Sequence, residues 1–569
     1  MLEKVKWKEI FLLLLLLIAI LLPRVSDLDE FVTADEHLWL TAAGNFYYAL
    51  GQREFIETYR FEAPAVTMLW AGVAGYVIEV PEFRGWGQGY LAREKLESVF
   101  EAHDIAAIDI LATARLFVIL QLTVVLIAAF YYGRKLFGLL PALVGFLLIA
   151  LDPFYIALTQ LFHMDGLLSA YMLLAVLAYS VYLFHGKKRL DLWITGVAFG
   201  LSLLSKSPGI FLLPMLGLMT LIAILQKDKQ ESLSVKLKFF GLPYLQTILI
   251  GAGTFFVLWP AMWVAPIDAI NNVFISAFKF AAGGHDTAVF FNGRVFIDKN
   301  IGLDLIEFYP ITYLWRATPV VLLGIILFIF SVIRKKSIQQ ENNDQLFLNI
   351  LGIMAVTFAI FMTLGGKKFA RYLIPAYLPL DLLAGVVWVK LLTQWEKSNR
   401  FLSAKIIIPA LLLIQFLLGA QHAPYYYAYF NPLMGGGTKA QQHLTIGWGE
   451  GLDQAANYLA DKPNAKNQTV LSWYGMGPFS YFYPGETLSI WIQPNWQRAN
   501  ARSLLTADYI VTYIHQEQRE MTDVLLDVLA TMQPEHTVSI QKILYVKIYA
   551  VKDISDPNMK LLLAPVLNQ

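Results

Sequence analysis

Apolar runs long enough to cross a bilayer recur along the first 420 residues, separated by short polar breaks, and they stop after Gln421. The first, residues 10–22 (IFLLLLLLIAILL), follows Lys4, Lys6 and Lys8. A basic start before an apolar stretch resembles a signal peptide. The chain then continues Pro23-Arg24-Val25-Ser26-Asp27 without a small-residue cleavage site, so the pattern predicts an uncleaved helix with its N-terminus in the cytoplasm. Further crossings are predicted at 110–131, 137–151, 166–184, 191–205, 208–225, 239–260, 313–333, 347–364, 372–392 and 404–420. Residues 65–80 are ambiguous, because Pro64 and Pro81 break them from their surroundings and Glu62 and Glu82 flank them.

Charge resolves that ambiguity, since one crossing more or less exchanges inside and outside for every later loop. If 65–80 does not cross, five successive basic loops fall in the cytoplasm. They carry Arg134 and Lys135; Lys187, Lys188 and Arg189; Lys227, Lys229, Lys236 and Lys238; Arg334, Lys335 and Lys336; and Lys397 and Arg400. The expectation is therefore eleven crossings, with 65–80 lying against the outer face inside a first external region of about 24–109. A second long external loop runs over about 261–312, and residues 421–569 remain outside. Within that tail, short alternating runs at 469–473, 509–513 and 543–549 and a helical stretch near 452–459 predict a small α/β domain. The fold class is an α-helical polytopic membrane protein, module 1–420, with an external C-terminal domain.

Composition agrees: 15% charged residues against 57% hydrophobic ones rules out a soluble globular chain. Balanced charge, 44 basic against 43 acidic side chains, argues against nucleic acid as a partner. The absence of cysteine excludes disulfides, thiol chemistry and cysteine metal sites.

On the predicted outer side, polar residues stand where apolar ones are expected. Asp35 and Glu36, in TADEHLWL, begin a segment whose helical spacing puts Asp35 and Trp39 on one face. Such a carboxylate suits a general base, although an acidic helix start beside an interfacial aromatic belt explains the same residues. Asp165, in LFHMDGLL, sits at the mouth of an apolar helix, either facing a cavity or capping the helix. His163 beside it is more ordinarily a hydrogen-bonded interfacial residue. Lys367, Lys368 and Arg371, just before Tyr372, break the charge rule that the other loops obey. A phosphate is the simplest counter-charge for them, with snorkelling to lipid headgroups as the alternative. Lys206 and Arg115 lie at the same side and are candidates to join that site. His285 and Asp286, in GGHDTA, either reach it from the second loop or form a turn. No phosphate-binding loop, dinucleotide fingerprint or HExxH motif is present, so energy must come from an activated substrate or a gradient.

Taken in order, the acidic pair after the first crossing, Phe61-Glu62-Ala63-Pro64, Arg115-Leu116, Asp165-Gly166, Lys206 and the Lys-rich run before Arg371-Tyr372 resemble the polyprenyl-phosphate-dependent GT-C glycosyltransferases. The chain is most similar to their protein O-mannosyltransferase and aminoarabinose transferase superfamily, in prokaryotic form, over residues 1–420. That resemblance implies juxtamembrane helices in the first external loop and an outward-facing cavity in the cell (inner) membrane. It implies a sugar donor linked to a polyisoprenyl phosphate, and a protein, lipid or glycan acceptor attacking with inversion. By the same resemblance Asp35 would be the general base on the acceptor, Glu36 a partner orienting the acceptor or the base, and Asp165 a second carboxylate near the sugar. Lys206, Lys367, Lys368, Arg371 and Tyr372 would surround the phosphate. Glu62-Ala63-Pro64 departs from aminoarabinose transferases, which carry a Lys before the Pro, and no DxD motif follows the first crossing, so neither that sugar nor a metal or other cofactor is implied. Competing readings are a transporter or flippase of lipid-linked sugars and a polysaccharide-ligase-like component.

Overall fold

The apolar runs form helices in a computed structural model of the chain, which describes residues 7–59, 63–92, 95–226, 232–277, 279, 288–297, 302–334, 344–398, 403–491 and 495–567. Among the described residues six helices are long and apolar enough to cross a membrane: Ala107–Phe137, Asp165–Phe184, Ser207–Gln226, Ser234–Leu258, Asp344–Thr363 and Ala370–Glu396. Two bent pairs add up to two more spans. The chain is a multi-pass membrane protein. Trp7–Val25, Arg189–Ser205 and Ala404–Ala420, of 19, 17 and 17 residues, stand where three of the remaining crossings are expected.

The crossing expected at 313–333 is not one straight helix. Leu303–Arg316 and Pro319–Ile333 meet at 119°. Pro319 has no backbone donor to continue the earlier helix, and Thr318 caps the new one, its hydroxyl accepting from the Val321 N–H at 3.3 Å. A milder 63° bend separates Leu139–Ala150 from Pro153–Thr159, where Asp152 caps through the Tyr155 N–H at 2.7 Å.

Helix Asp165–Phe184 is the centre of the bundle, buried along almost its whole length and packed on Ala107–Phe137 and Arg189–Ser205. Helix Ile374–Ser398 lies against Leu139–Ala150 where Gly385 meets the Gly145 backbone, so closely that a Cβ on Gly385 would overlap it. Residues 65–80 contain the 14-residue helix Val66–Glu79, held between Glu36–Gln52 and Ala107–Phe137. At 14 residues it spans about 21 Å, short of a hydrocarbon core of roughly 30 Å.

Past residue 420 the described residues form five strands: β3 (Thr469–Ser472), β4 (Glu486–Ser489), β5 (Tyr509–Tyr513), β6 (His536–Ile540) and β7 (Ile543–Ala550), in the order β4-β3-β5-β7-β6. The first three are parallel and β7 runs antiparallel to its neighbours, as the alternating runs of the sequence predict for an α/β domain. A small hairpin, β1 (Val289–Phe291) and β2 (Arg294–Phe296), lies in the second long loop and joins this region through the Asn292 N–H, which donates to the His443 carbonyl at 2.8 Å. Arg316 ties the bundle to the tail by donating to the Tyr427 and Tyr429 carbonyls at 2.5 and 2.8 Å.

Candidate active site

Asp35 immediately precedes helix Glu36–Gln52, yet its carboxylate does not cap it. It turns instead toward Arg371, whose Nη2 donates to Oδ2 at 3.1 Å. The turn is fixed from below by Glu36 and Arg115, both fully buried. The Arg115 guanidinium meets Glu36 through Nε at 2.8 Å and Nη2 at 2.5 Å, and donates further to the Leu28 and Phe31 carbonyls. Glu36 also accepts from the Thr33 N–H and hydroxyl and from the Phe162 N–H at 2.7 Å. Burial pushes its carboxyl up, but Arg115 and the backbone donors outweigh burial and hold it below the ordinary value. One carboxylate thus joins the first external loop, a long helix and the loop before Asp165.

Asp165 opens the central helix with its side chain 2% exposed. It receives Lys206 Nζ at 2.7 Å, and Arg371 Nε stands 3.7 Å from Oδ2. Lys206 follows the last turn of Arg189–Ser205, where extended backbone leads into Ser207-Pro208 and points the ammonium over the Tyr372 ring, 4.1 Å from its centroid. Arg371 sits on the short turn Ala370–Leu373 and so spans both carboxylates, Asp35 and Asp165.

His163 lies between them. Its Nδ1 accepts the Asp165 N–H at 3.3 Å, which leaves the proton on Nε2, 3.9 Å from Asp35 Oδ2. Burial, helped by Arg371 and Lys206 against Asp165 and Asp35, pulls the imidazole down to about 4, so it is neutral at physiological pH.

These groups surround a cavity of about 390 Å³, lined by Asp35, Trp39, His163, Asp165, Lys206, Lys367, Arg371 and Tyr372 on its polar side and by residues such as Leu168, Met362, Ile374 and Pro375 elsewhere. Of the residues singled out in the sequence, Glu36, Arg115 and Lys368 stand behind the wall. Lys368 Nζ donates to the Thr363 carbonyl at 2.6 Å, and burial pulls it down to about 8. His285, with Asp286, lies outside the described residues, as do Phe61 and Glu62. Among the described residues no group of three or more His, Asp or Glu gathers to hold a metal ion.

Sequence reasoning missed Trp448. Its indole lies 4.4 Å from the Arg371 guanidinium and edge-on to His163 at 5.1 Å, and its carbonyl accepts the Ala34 N–H at 2.9 Å. Gly447 and Gly449, both with positive φ, allow this approach: a Cβ on Gly449 would lie 2.7 Å from the Val32 carbonyl oxygen. The run Gly447-Trp448-Gly449-Glu450-Gly451 was the available signal, an aromatic set between alternating glycines.

Residues 12–271 match the family described as dolichyl-phosphate-mannose-protein mannosyltransferase. Curated protein sequences give no match. Among solved structures, the chain is similar to ArnT from Cupriavidus metallidurans bound to undecaprenyl phosphate, with 13% identity, 95% of this chain and 97% of that one covered, and a TM-score of 0.49. It is similar also to the Archaeoglobus fulgidus oligosaccharyltransferase tethered with an acceptor peptide, at 12% identity over 99% of this chain and 78% of that one, TM-score 0.48. The S. cerevisiae Pmt1-Pmt2 complex bound to the sugar donor aligns at 17% identity over 51% of this chain and 39% of that one, TM-score 0.34. The family match favours an enzyme over the transporter reading of the sequence. That match spans residues 12–271, and the motifs at Asp35, Arg115, Asp165 and Lys206 fall within it.

Proposed function

We propose that this cavity transfers a sugar from a polyisoprenyl-phosphate donor to an acceptor hydroxyl on protein, lipid or glycan, at the outer face of the cell membrane, with the N-terminus in the cytoplasm. The observation that carries the reading is that two carboxylates, Asp35 and Asp165, and three cations, Lys206, Lys367 and Arg371, line one cavity at the ends of apolar helices. The cations face the donor phosphate, and the apolar side accepts the start of the prenyl chain. Asp35 takes the proton of the acceptor hydroxyl as its oxygen attacks the anomeric carbon. The bond from that carbon to the phosphate oxygen breaks, and the prenyl phosphate leaves with the electron pair, stabilised by Lys206 and Arg371. A single in-line displacement inverts the anomeric centre. Asp165 holds Lys206 and faces the sugar, while neutral His163 steadies the Asp35 carboxylate. Glu36 and Arg115 fix the backbone that carries Asp35 and touch no substrate.

The test is transfer by purified protein from a panel of radiolabelled polyprenyl-phosphate sugars to an envelope extract, with and without chelator, for wild type and Asp35→Asn. Wild type is expected to label an acceptor, and Asp35→Asn to bind donor while transferring about 10²–10⁴-fold more slowly. Equal transfer by the two proteins, or donor movement across liposomes without transfer, would overturn the reading.

A further inference from the structure

The C-terminal sheet carries a second polar cluster that the transfer chemistry leaves unused. From β3 the chain passes first to β4 on one side and then to β5 on the other, all three strands parallel. Connections that diverge this way leave a crevice beyond the carboxyl ends of the two inner strands, where open α/β sheets bind ligands. Tyr474 lies just past β3, in a left-handed conformation with φ 52°. Helix Ile514–Gln518 leaves β5 and is followed by Arg519, which puts His515 and Arg519, four residues apart, on one face.

Both are more than nine-tenths buried, at 6% and 7% exposure. His515 Nδ1 stands 3.2 Å from the Gly447 carbonyl, to which it donates, and the ring lies 5.9 Å from that of Tyr474. His515 Nε2 and Arg519 Nε are buried without a hydrogen-bond partner. Arg519 meets no carboxylate among the described residues. Glu450, on the adjoining glycine-rich loop, takes the Trp448 N–H and the Tyr513 hydroxyl on Oε2 and keeps Oε1 buried without a hydrogen-bond partner, but forms no ion pair with Arg519. A guanidinium taken this far from water without a counter-charge is costly, and an anion relieves the cost. This end of the sheet adjoins the cavity: Gly447, which receives His515, precedes Trp448, whose ring packs on Arg371. The charge of Arg371 reaches Tyr474, His515 and Arg519, and that of Asp35 reaches Tyr474.

We infer that Arg519 and the Tyr474 hydroxyl, with His515 holding the ground beside them, form an anion-binding subsite for the acceptor, so that the molecule bringing its hydroxyl to Asp35 also carries a phosphate or carboxylate that docks at the carboxyl ends of β3 and β5. The inference rests on the transfer reading above, and its test separates the two. Full-length protein is first saturated with polyprenyl phosphate, filling the cavity, and then titrated with inorganic phosphate by calorimetry. Wild type is expected to bind one further phosphate and Arg519→Gln none, with Arg519→Lys in between. In transfer assays Arg519→Gln is expected to raise the acceptor KM at least tenfold and leave the donor KM unchanged. No phosphate binding by saturated wild type, or equal binding by Arg519→Gln, overturns the subsite. A rise in donor KM instead assigns Arg519 to the donor phosphate and overturns it equally. If polyprenyl phosphate fails to bind at all, the transfer reading falls, while phosphate titration of the unliganded proteins still decides whether Arg519 holds an anion.

Discussion

Removing either partner of the Glu36–Arg115 pair leaves a charge in a place with no water. Glu36 is 0% exposed and Arg115 1%, and they meet at 2.5 Å. Breaking a buried pair by losing one partner costs about 3–5 kcal/mol, because the remaining charge is uncompensated. Arg115→Gln also deprives the Leu28 and Phe31 carbonyls of their donors, so it falls at the upper end. Glu36→Gln keeps one oxygen, for either the Thr33 N–H on the Oε2 side or the Phe162 N–H on the Oε1 side, and turns an amide donor on the other, so it falls in the same range. The double variant leaves no lone charge, so its loss is expected to be smaller than the sum of the singles by about 2–3 kcal/mol, the upper range for coupled neighbours. Because the pair holds the backbone beside Asp35, each single variant also slows transfer by about 10²-fold, the scale set by a displacement of about 1 Å at a reacting group. Unfolding of the three variants in mixed micelles with graded denaturing detergent measures the cycle, and single-turnover transfer measures placement. Losses that add within about 0.5 kcal/mol would refute the argument, as would single variants that unfold earlier yet transfer at the wild-type rate.

Three further outcomes are expected. The His163 imidazole is held near 4 against an ordinary 6.5, so the unfolded chain takes up a proton first as pH falls. The stability it contributes is present above about pH 6.5 and is lost toward pH 4, up to about 3 kcal/mol, and the difference between wild-type and His163→Gln melting curves over that window should show it; a constant difference would contradict the assignment. Gly385→Ala forces a methyl into the Gly145 backbone and is expected to cost about 1–3 kcal/mol, read as a lower melting temperature, whereas an unchanged value would mean that the two helices separate freely. Arg371→Lys replaces a fork that addresses two carboxylates by a point charge, so transfer should fall about 10²-fold with donor affinity changed far less, and activity within twofold of wild type would show that spanning both carboxylates is unnecessary.

The site was legible in the sequence because its residues violate local rules. Asp165 at the mouth of an apolar helix could cap it, and cations on the side that the charge pattern disfavours could snorkel, but the structure gathers Asp35, Asp165, Lys206, Lys367 and Arg371 at one cavity. Apolar runs likewise mark the helices. They do not mark the sharp bend at Pro319, because hydropathy reads through a proline that backbone hydrogen bonding does not. Nor does adjacency tell Asp35 from Glu36. Only the fold shows that one faces the cavity and the other is consumed by Arg115, 79 positions away in sequence. Trp448 was hidden for a related reason: its partners, Arg371 and Ala34, are contacts over 77 and 414 residues, and nothing periodic in the tail announces them.

The arrangement has a consequence for the order of events. At rest Arg371 donates to Asp35 at 3.1 Å, so an acceptor hydroxyl has to compete with the guanidinium for that carboxylate. Arg371 is also the group that a donor phosphate would engage, with Lys206 already committed to Asp165 at 2.7 Å. On the proposed reading a phosphate in the cavity competes with Asp35 for the same guanidinium, and as Arg371 turns toward it the carboxylate oxygen is freed to accept from the acceptor hydroxyl. His163 does not replace the lost cation, because the neutral ring offers Nε2–H as an orienting donor without adding charge. Trp448 covers one face of the guanidinium, 4.4 Å from it, and so holds Arg371 over the cavity. On that reading the proton acceptor is released by the arrival of the leaving group it needs, which couples acceptor activation to donor binding.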